Sequence, residues 1–227
     1  MHPLPWHEID TLLLDLDGTL LDLHFDNHFW REHVPLRYAE RHGMDVAEAK
    51  DRLVPLFRSK EGTMQWYCVD YWSEVLDLDI AELKAEVDHL IAVHPHVIEF
   101  LDAARAAGKR VVLVTNAHQK ALDLKLRKTR LGGHLDRVIC AHAFGRPKED
   151  EAFWHWLQAQ EPFDPARTLF IDDSLPVLRA AADHGIRHLL AVRRPDTRGP
   201  EKDTGEFAAI DGFEPLVRQL QENAGVS

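Results

Sequence analysis

Short runs of apolar residues that end in polar residues recur along the chain. Five of these runs are continuous rather than alternating, which is the pattern of strands buried on both faces of a sheet. They cover residues 11–14, 110–114, 137–140, 168–171 and 188–192. We therefore predict that these five segments are the strands of one buried sheet.

Helical patterns separate the later runs. The predicted helices cover residues 97–107, 119–129, 151–160 and 175–184, and a final helix covers 214–222. Gly108 and Gly185 are placed to end two of them, because glycine readily adopts the left-handed backbone that closes a helix. Residues 197–206 are charged and contain Gly and Pro, which predicts a surface loop. The alternation of strands and helices predicts a doubly wound α/β fold with a parallel sheet.

The first and second predicted strands are separated by far more chain than one helix needs. Residues 23–93 contain no buried-strand run and are rich in aromatic residues and helix formers. We interpret this segment as an α-helical cap whose ends return to the core near Asp22 and His94. The predicted domains are an α/β core at 1–22 and 94–227 and a cap at 23–93.

The charge balance limits the possible partners. The chain has 27 Lys and Arg against 38 Asp and Glu, a formal net charge of −11. Such an acidic chain is a poor candidate for binding nucleic acid, which needs a cationic surface. No apolar run is long enough for a membrane span and residues 1–10 do not resemble a signal peptide, so we expect a cytoplasmic protein. The pattern makes no prediction of the oligomeric state.

The cysteines and histidines show no readable metal motif. Cys68 and Cys140 lie far apart and neither belongs to a CxxC pair, so we expect free thiols. Two histidine pairs lie close together in sequence, but with 15 histidines such pairs arise by chance. A zinc site also needs a third or fourth ligand at a recognisable spacing, so none is expected.

Reactive side chains follow four of the predicted strands. In open parallel sheets, ligands bind beyond the carboxyl ends of the strands. The residues at these ends are Asp15 and Asp17, then Thr115 and Asn116, then Lys148, then Asp172 and Asp173. Each signal is weak alone, but their convergence at one sheet edge predicts a single site.

Asp15 and Asp17 stand two residues apart at the end of the first strand and can face the same side. Two carboxylates this close do not both ionise readily unless a cation or a proton lies between them. A bound Mg²⁺ would relieve their repulsion. Asp15 could then attack phosphorus while Asp17 transfers the proton. The alternative is a solvated turn, since Asp-Gly-Thr is common turn chemistry.

The other strand ends offer groups that suit a phosphate and a metal. Thr115 and Asn116 supply a hydroxyl, an amide and N–H groups before a helix, and Lys148 supplies a positive charge. Asp172 or Asp173 could complete the metal shell. The alternatives are a simple helix cap at each of the two loops, and a surface lysine at Lys148.

Four ordered motifs, Asp-Leu-Asp-Gly-Thr, Val-Thr-Asn, Arg-Pro-Lys and Ile-Asp-Asp-Ser, resemble those of the haloacid dehalogenase-like hydrolases. The resemblance covers nearly the whole chain. It implies that Asp15 is a nucleophile that forms an aspartyl-phosphate and that Asp17 is a general acid and base. The dehalogenase branch of this family needs no metal and lacks the second acid, so Asp17 favours phosphoryl transfer.

The resemblance also implies the remaining roles at the core site. Thr115, Asn116 and Lys148 would bind the phosphate. Asp172 would be a Mg²⁺ ligand, with Asp173 a direct or water-mediated partner, and the metal would also take Asp15 and the backbone carbonyl of Asp17.

The cap sequence is similar, more narrowly, to the cap of the bacterial GMP/IMP nucleotidases. This similarity lies in the segments 23–30 and 62–68. It implies a purine nucleoside monophosphate as substrate, and we expect Phe25, Asn27, Trp66 and Tyr67 to contact it, since a base needs an aromatic face and hydrogen-bonding groups. The aromatic residues could instead only hold the cap together. Other possibilities are a phosphatase for sugar phosphates or other small metabolites, a phosphosugar mutase, and a binding module without activity.

Overall fold

A six-stranded parallel sheet forms the centre of the computed structural model, which describes residues 3–224. The strand order is β3-β2-β1-β4-β5-β6. The strands are β1 (Thr11–Leu14), β2 (Arg110–Thr115), β3 (Arg137–Cys140), β4 (Thr168–Asp172), β5 (His188–Val192) and β6 (Ala209–Ile210). The central position of β1 explains why its four residues are all buried.

Helices cover both faces of the sheet, so successive residues of a strand enter different cores. In β1, Leu12 and Leu14 belong to one hydrophobic cluster and Leu13 belongs to the other. The first cluster receives side chains from α7 (Val97–Ala106), α8 (Gln119–Thr129) and α11 (Glu214–Ala224), and the second from α9 (Glu151–Gln160) and α10 (Leu175–Asp183). This two-sided burial is why the strands are continuously apolar in sequence.

The predicted α/β fold is confirmed, and the element bounds agree closely. The five predicted strands are present, and two of them extend by one residue to include Thr115 and Asp172. The helix ends agree within two residues, and Gly108 and Gly185 have the positive φ angles expected of helix stops. The strand β6 was not predicted, because two residues are too few to show a periodic pattern.

The segment between β1 and β2 is helical. Its helices are α1 (His24–His28), α2 (Val34–His42), α3 (Val46–Arg58), α4 (Met64–Tyr67), α5 (Val69–Leu76) and α6 (Ile80–Glu86). Its two ends lie side by side, since Leu21 forms an antiparallel bridge with Val93 and the Asp22 N–H donates to the Ala92 carbonyl at 2.9 Å. The division into a cap at 23–93 and a core at 1–22 and 94–227 remains a prediction, and the core range extends beyond the described residues at both termini.

Aromatic side chains pack between the cap helices. Trp30, Phe57 and Trp72 form mutual edge-to-face contacts with ring centroids 5.0–6.0 Å apart. Such contacts stabilise a small helical unit beyond the area they bury. Part of the aromatic content of the cap is therefore structural. Among residues 3–224, none of the helices has the length and apolarity needed to cross a membrane.

Candidate active site

A single cleft at the carboxyl edge of the sheet collects the residues that follow four strands. Its volume is about 80 Å³. It is lined by Asp15, Asp17, Tyr67, Thr115, Asn116, Ala117, Lys148, Asp172, Asp173, Ser174 and Val177. All seven core residues singled out in the sequence line this cleft, because the parallel strands β1, β2 and β4 end at the same edge.

Lys148 lies at the centre of the cleft and is 2% exposed. Its Nζ donates to Asp15 Oδ1 at 2.5 Å and to Asp172 Oδ2 at 2.7 Å. Its backbone N–H donates to Asn116 Oδ1 at 2.8 Å, which fixes the loop that follows β3 against the end of β2. A buried ammonium in this position offers the local positive charge that a phosphate needs in so acidic a chain.

Burial strongly affects the carboxylates beside Lys148. It raises the pKa of Asp15 and raises that of Asp172 to about 8, while Lys148 opposes both shifts. The neighbouring charge of Asp173 adds to the increase at both residues. A group of buried carboxylates with raised pKa values stabilises a bound cation, because the cation relieves their mutual repulsion.

The carboxylates suit a divalent metal ion. Oxygen atoms of Asp15, Asp172 and Asp173 lie within 4.8 Å of one another. Gly18 makes this approach possible, because its φ is +91° and a Cβ there would lie 2.7 Å from the Asp173 Cγ. An all-oxygen donor set is the kind that Mg²⁺ prefers. The residues present therefore fit Mg²⁺, and Asp15, Asp172 and Asp173 could hold it.

Asp17 pairs with Lys125 and begins a chain of alternating charges that leads into the cap. Lys125 Nζ donates to Asp17 Oδ1 and to Asp26 Oδ2, both at 2.7 Å. Lys84 Nζ donates to the other oxygen of Asp26 at 2.8 Å. Lys125 and Lys84 are only 2% and 3% exposed. We call these four residues the ion chain; it connects the active-site loop through α8 to the cap helices α1 and α6.

The ion chain affects its two carboxyl groups differently. Burial raises the pKa of Asp17 to about 6, and Lys125 only partly offsets this shift. At Asp26 burial acts in the same direction, but Lys125 and Lys84 outweigh it and hold the pKa well below its usual range. A carboxyl group with a pKa near neutrality suits both donation and acceptance of a proton.

The four predicted cap contacts lie in different places. Tyr67 lines the cleft, and its hydroxyl donates to Glu149 Oε1 at 2.6 Å. Phe25 is 1% exposed, and its ring lies under Lys84 and Lys125 at 4.9 and 5.3 Å.

Asn27 and Trp66 are also absent from the cleft lining. The Asn27 amide donates to Asp196 at 2.7 Å, and the Trp66 side chain is partly buried against the hydrophobic cluster that includes the cap. This arrangement does not support substrate contact by Phe25, Asn27 or Trp66, because each is engaged in packing or hydrogen bonding elsewhere. Their contact with substrate remains a prediction.

Two residues with clear roles in the arrangement were missed in the sequence. Glu149 accepts from both Tyr67 and the Asn116 amide, the latter at 2.9 Å, and so connects the cap to the end of β2. Lys125 had a readable signal, since it follows buried Leu122 by three residues on the inner face of α8. A lysine on an apolar helix face requires a buried partner.

The parallel α/β sheet and the aspartate cleft define the class of protein. A model of the haloacid dehalogenase-like hydrolase family matches residues 9–185. The chain therefore belongs to this family, as its motifs predicted. It is 41% identical over 215 residues to the GMP/IMP nucleotidase YrfG of Escherichia coli (strain K12), a match that covers 95% of this chain and 97% of the relative.

Solved structures share the fold. A HAD phosphatase from Thermococcus onnurineus has a TM-score of 0.77 at 21% identity, and the match covers 96% of this chain and 98% of that one. The HAD-hydrolase YfnB from Bacillus subtilis, bound to magnesium, has a TM-score of 0.64 at 18% identity, covering 93% and 98%. The agreement over nearly the full length of each chain includes the helical segment between the first two strands.

Proposed function

We propose that this protein is a Mg²⁺-dependent phosphatase that hydrolyses purine nucleoside 5′-monophosphates, with GMP and IMP preferred. The observation that supports the chemistry best is the position of Asp15, a carboxylate at a cleft of about 80 Å³ beside a buried lysine and two further carboxylates. The substrate proposal rests on the 41% identity to a GMP/IMP nucleotidase over 95% of the chain.

The proposed reaction has two steps at the Asp15 carboxylate. In the first, an Asp15 oxygen forms a bond to phosphorus while the bond from phosphorus to the nucleoside oxygen breaks, and Asp17 gives its proton to that oxygen. In the second, Asp17 takes a proton from water, and the water oxygen displaces Asp15 to release inorganic phosphate. A bound Mg²⁺ would neutralise charge on the phosphoryl oxygens.

Other residues of the cleft would bind and orient the phosphoryl group. Lys148 carries a positive charge and already donates a hydrogen bond to Asp15 Oδ1. Thr115 and Asn116 end β2 at the same edge and offer hydroxyl, amide and N–H groups. We assign the phosphate to these three residues, because oriented donors in a cleft shielded from water stabilise developing negative charge effectively.

The size of the cleft indicates that the phosphate and the nucleoside of the substrate bind in different places. Its volume is about 80 Å³. Drug-sized ligands occupy pockets of roughly 300–1,000 Å³. The cleft therefore accommodates a phosphoryl group, and the nucleoside must lie towards the cap. We propose that residues 23–93 act as a cap that moves to admit it, with Tyr67 at the boundary.

A comparison of substrates tests this function. We expect kcat/KM for GMP and IMP to exceed that for AMP, UMP and simple sugar phosphates by at least about tenfold, the ratio that 1.4 kcal/mol of differential transition-state binding gives. The measurement is phosphate release, with p-nitrophenyl phosphate as a substrate that needs no base recognition. Faster hydrolysis of sugar phosphates than of GMP and IMP would contradict the proposed nucleotidase activity. Formation of an isomerised sugar phosphate without phosphate release would instead indicate a mutase.

A further inference from the structure

A second group of metal-ligating side chains lies outside the carboxylate cluster. It consists of Cys68, between α4 and α5, His118, immediately before α8, and His142, which follows β3. One ligand atom from each lies within 4.8 Å of the others. Sequence spacing gave no sign of this group, because its members lie far apart in the chain and only the fold brings them together.

His142 has an atom available for a ligand. Its Nε2 is buried and has no hydrogen-bond partner within residues 3–224. A buried polar atom without a partner is unfavourable in a native structure, and a bound ion is one of the few ways to satisfy it. Burial and the neighbouring His118 lower the pKa of His142 to about 4, so the imidazole is neutral at physiological pH, which is the form that binds metals.

Cys68 and His118 can also become metal ligands, because each would lose only a long hydrogen bond. Cys68 Sγ accepts a long hydrogen bond of 3.4 Å from the Tyr71 N–H. His118 Nδ1 accepts one of 3.3 Å from the Lys120 N–H, and its Nε2 lies 3.6 Å from Asp70 Oδ2. If His118 binds a metal through Nε2, the ring proton lies on Nδ1, and only the long hydrogen bond from the Lys120 N–H is lost. The Asp70 carboxylate or water is available for a fourth position.

The donor types select the metal. One thiolate and two imidazoles suit Zn²⁺ or Co²⁺, whereas Mg²⁺ prefers oxygen. In a tetrahedral zinc site with Zn–N of about 2.05 Å and Zn–S of about 2.3 Å, neighbouring ligand atoms stand roughly 3.3–3.6 Å apart. The ligand atoms of Cys68, His118 and His142 lie at most 4.8 Å apart, so each pair would have to approach by at most about 1.5 Å to bind a metal ion.

We propose that Cys68, His118 and His142 form a binding site for a transition-metal ion such as Zn²⁺, distinct from the Mg²⁺ site and shared between the cap and the core. This proposal departs from the expectation from sequence that the chain has no zinc site. Cys68 directly follows Tyr67, and His118 lies two residues after Asn116. An ion held here would therefore fix two segments that line the active-site cleft.

Cobalt titration tests the proposal, because a thiolate bound to Co²⁺ gives a charge-transfer absorption that carboxylate ligands do not. The titration uses the full-length protein in saturating Mg²⁺. We expect a sulfur-to-cobalt band that saturates at one equivalent of Co²⁺ and is removed by added Zn²⁺. His142→Gln should weaken Co²⁺ binding by at least about tenfold, since loss of an outer-shell partner alone costs 10–100-fold.

The two cysteines of the chain provide a matched pair of variants. Cys68→Ser should abolish the band, while Cys140→Ser should retain it, because Cys140 Sγ donates to the Ala117 carbonyl and does not belong to the group. Asp172→Asn, which alters only the carboxylate cluster, should also retain it. Absence of the band in the unaltered protein, or its persistence in Cys68→Ser, would overturn the proposal whatever the activity of the enzyme.

Discussion

Asp15 and Asp17 leave the same strand end and enter different electrostatic environments. Asp15 meets Lys148 and the other cluster carboxylates, whereas Asp17 meets Lys125. After Asp17 the main chain turns sharply before it enters the cap, and the Gly18 N–H donates to the Leu21 carbonyl at 2.8 Å. Two neighbouring carboxyl groups can therefore have separate chemical roles, because each is positioned by its own buried lysine.

Asp17→Asn tests the proposed proton transfer at the scale of one residue. An asparagine keeps the shape but cannot protonate the leaving group, so hydrolysis of GMP should fall much further than that of p-nitrophenyl phosphate, whose leaving group hardly needs a proton. The measurement is kcat for both substrates. Equal losses would instead assign Asp17 a purely structural or metal-positioning role.

At the scale of secondary-structure elements, α8 joins the cap to the active-site loop. Its inner face carries Lys125, which bonds Asp17 of the core loop and Asp26 of α1 at the same time. Lys84 extends the contact to α6 and lies over the Phe29 ring at 4.2 Å. The orientation of the cap helices and the position of Asp17 are therefore coupled through buried charges.

Lys125→Met should destabilise the protein by about 3 kcal/mol, because removing one partner of a buried ion pair leaves uncompensated charge. We take the lower end of the usual range because the Asp17 and Asp26 side chains are 23% and 18% exposed. The measurement is the free energy of unfolding in urea.

Lys128→Met is the matched control on the same helix. Lys128 is 41% exposed and pairs with Asp88, so its loss should cost about 0–1 kcal/mol. Equal destabilisation by the two variants would show that the ion chain contributes no more than an ordinary surface pair.

At the scale of the whole molecule, the features readable in the sequence are those that one segment determines by itself. The strands of the sheet were readable because burial on both faces makes them continuously apolar, and their ends converge because parallel strands share an edge. The position of Lys125 on an apolar helix face was readable, but its partners in the ion chain and the group around His142 were not. Each depends on how α8 packs against distant segments, and neither Lys125 nor Cys68 has a neighbour in sequence that indicates its partner.

The overall charge also has a consequence at this scale. The net charge of −11 repels a phosphate dianion at long range, and the carboxylates of the cleft repel it locally. Lys148 and a bound Mg²⁺ would have to overcome both effects. On the proposed function, the metal would therefore assist the approach of the substrate to Asp15 as well as the chemistry.

Rapid acid quenching during turnover of GMP, followed by fragment mass spectrometry, tests the central claim most directly. With Mg²⁺ present, we expect a phosphoryl group on Asp15, and we expect none after treatment with EDTA or in an Asp15→Asn variant whose thermal unfolding matches that of the unaltered protein. Phosphate release from GMP by folded Asp15→Asn at a rate near that of the unaltered enzyme would contradict the account.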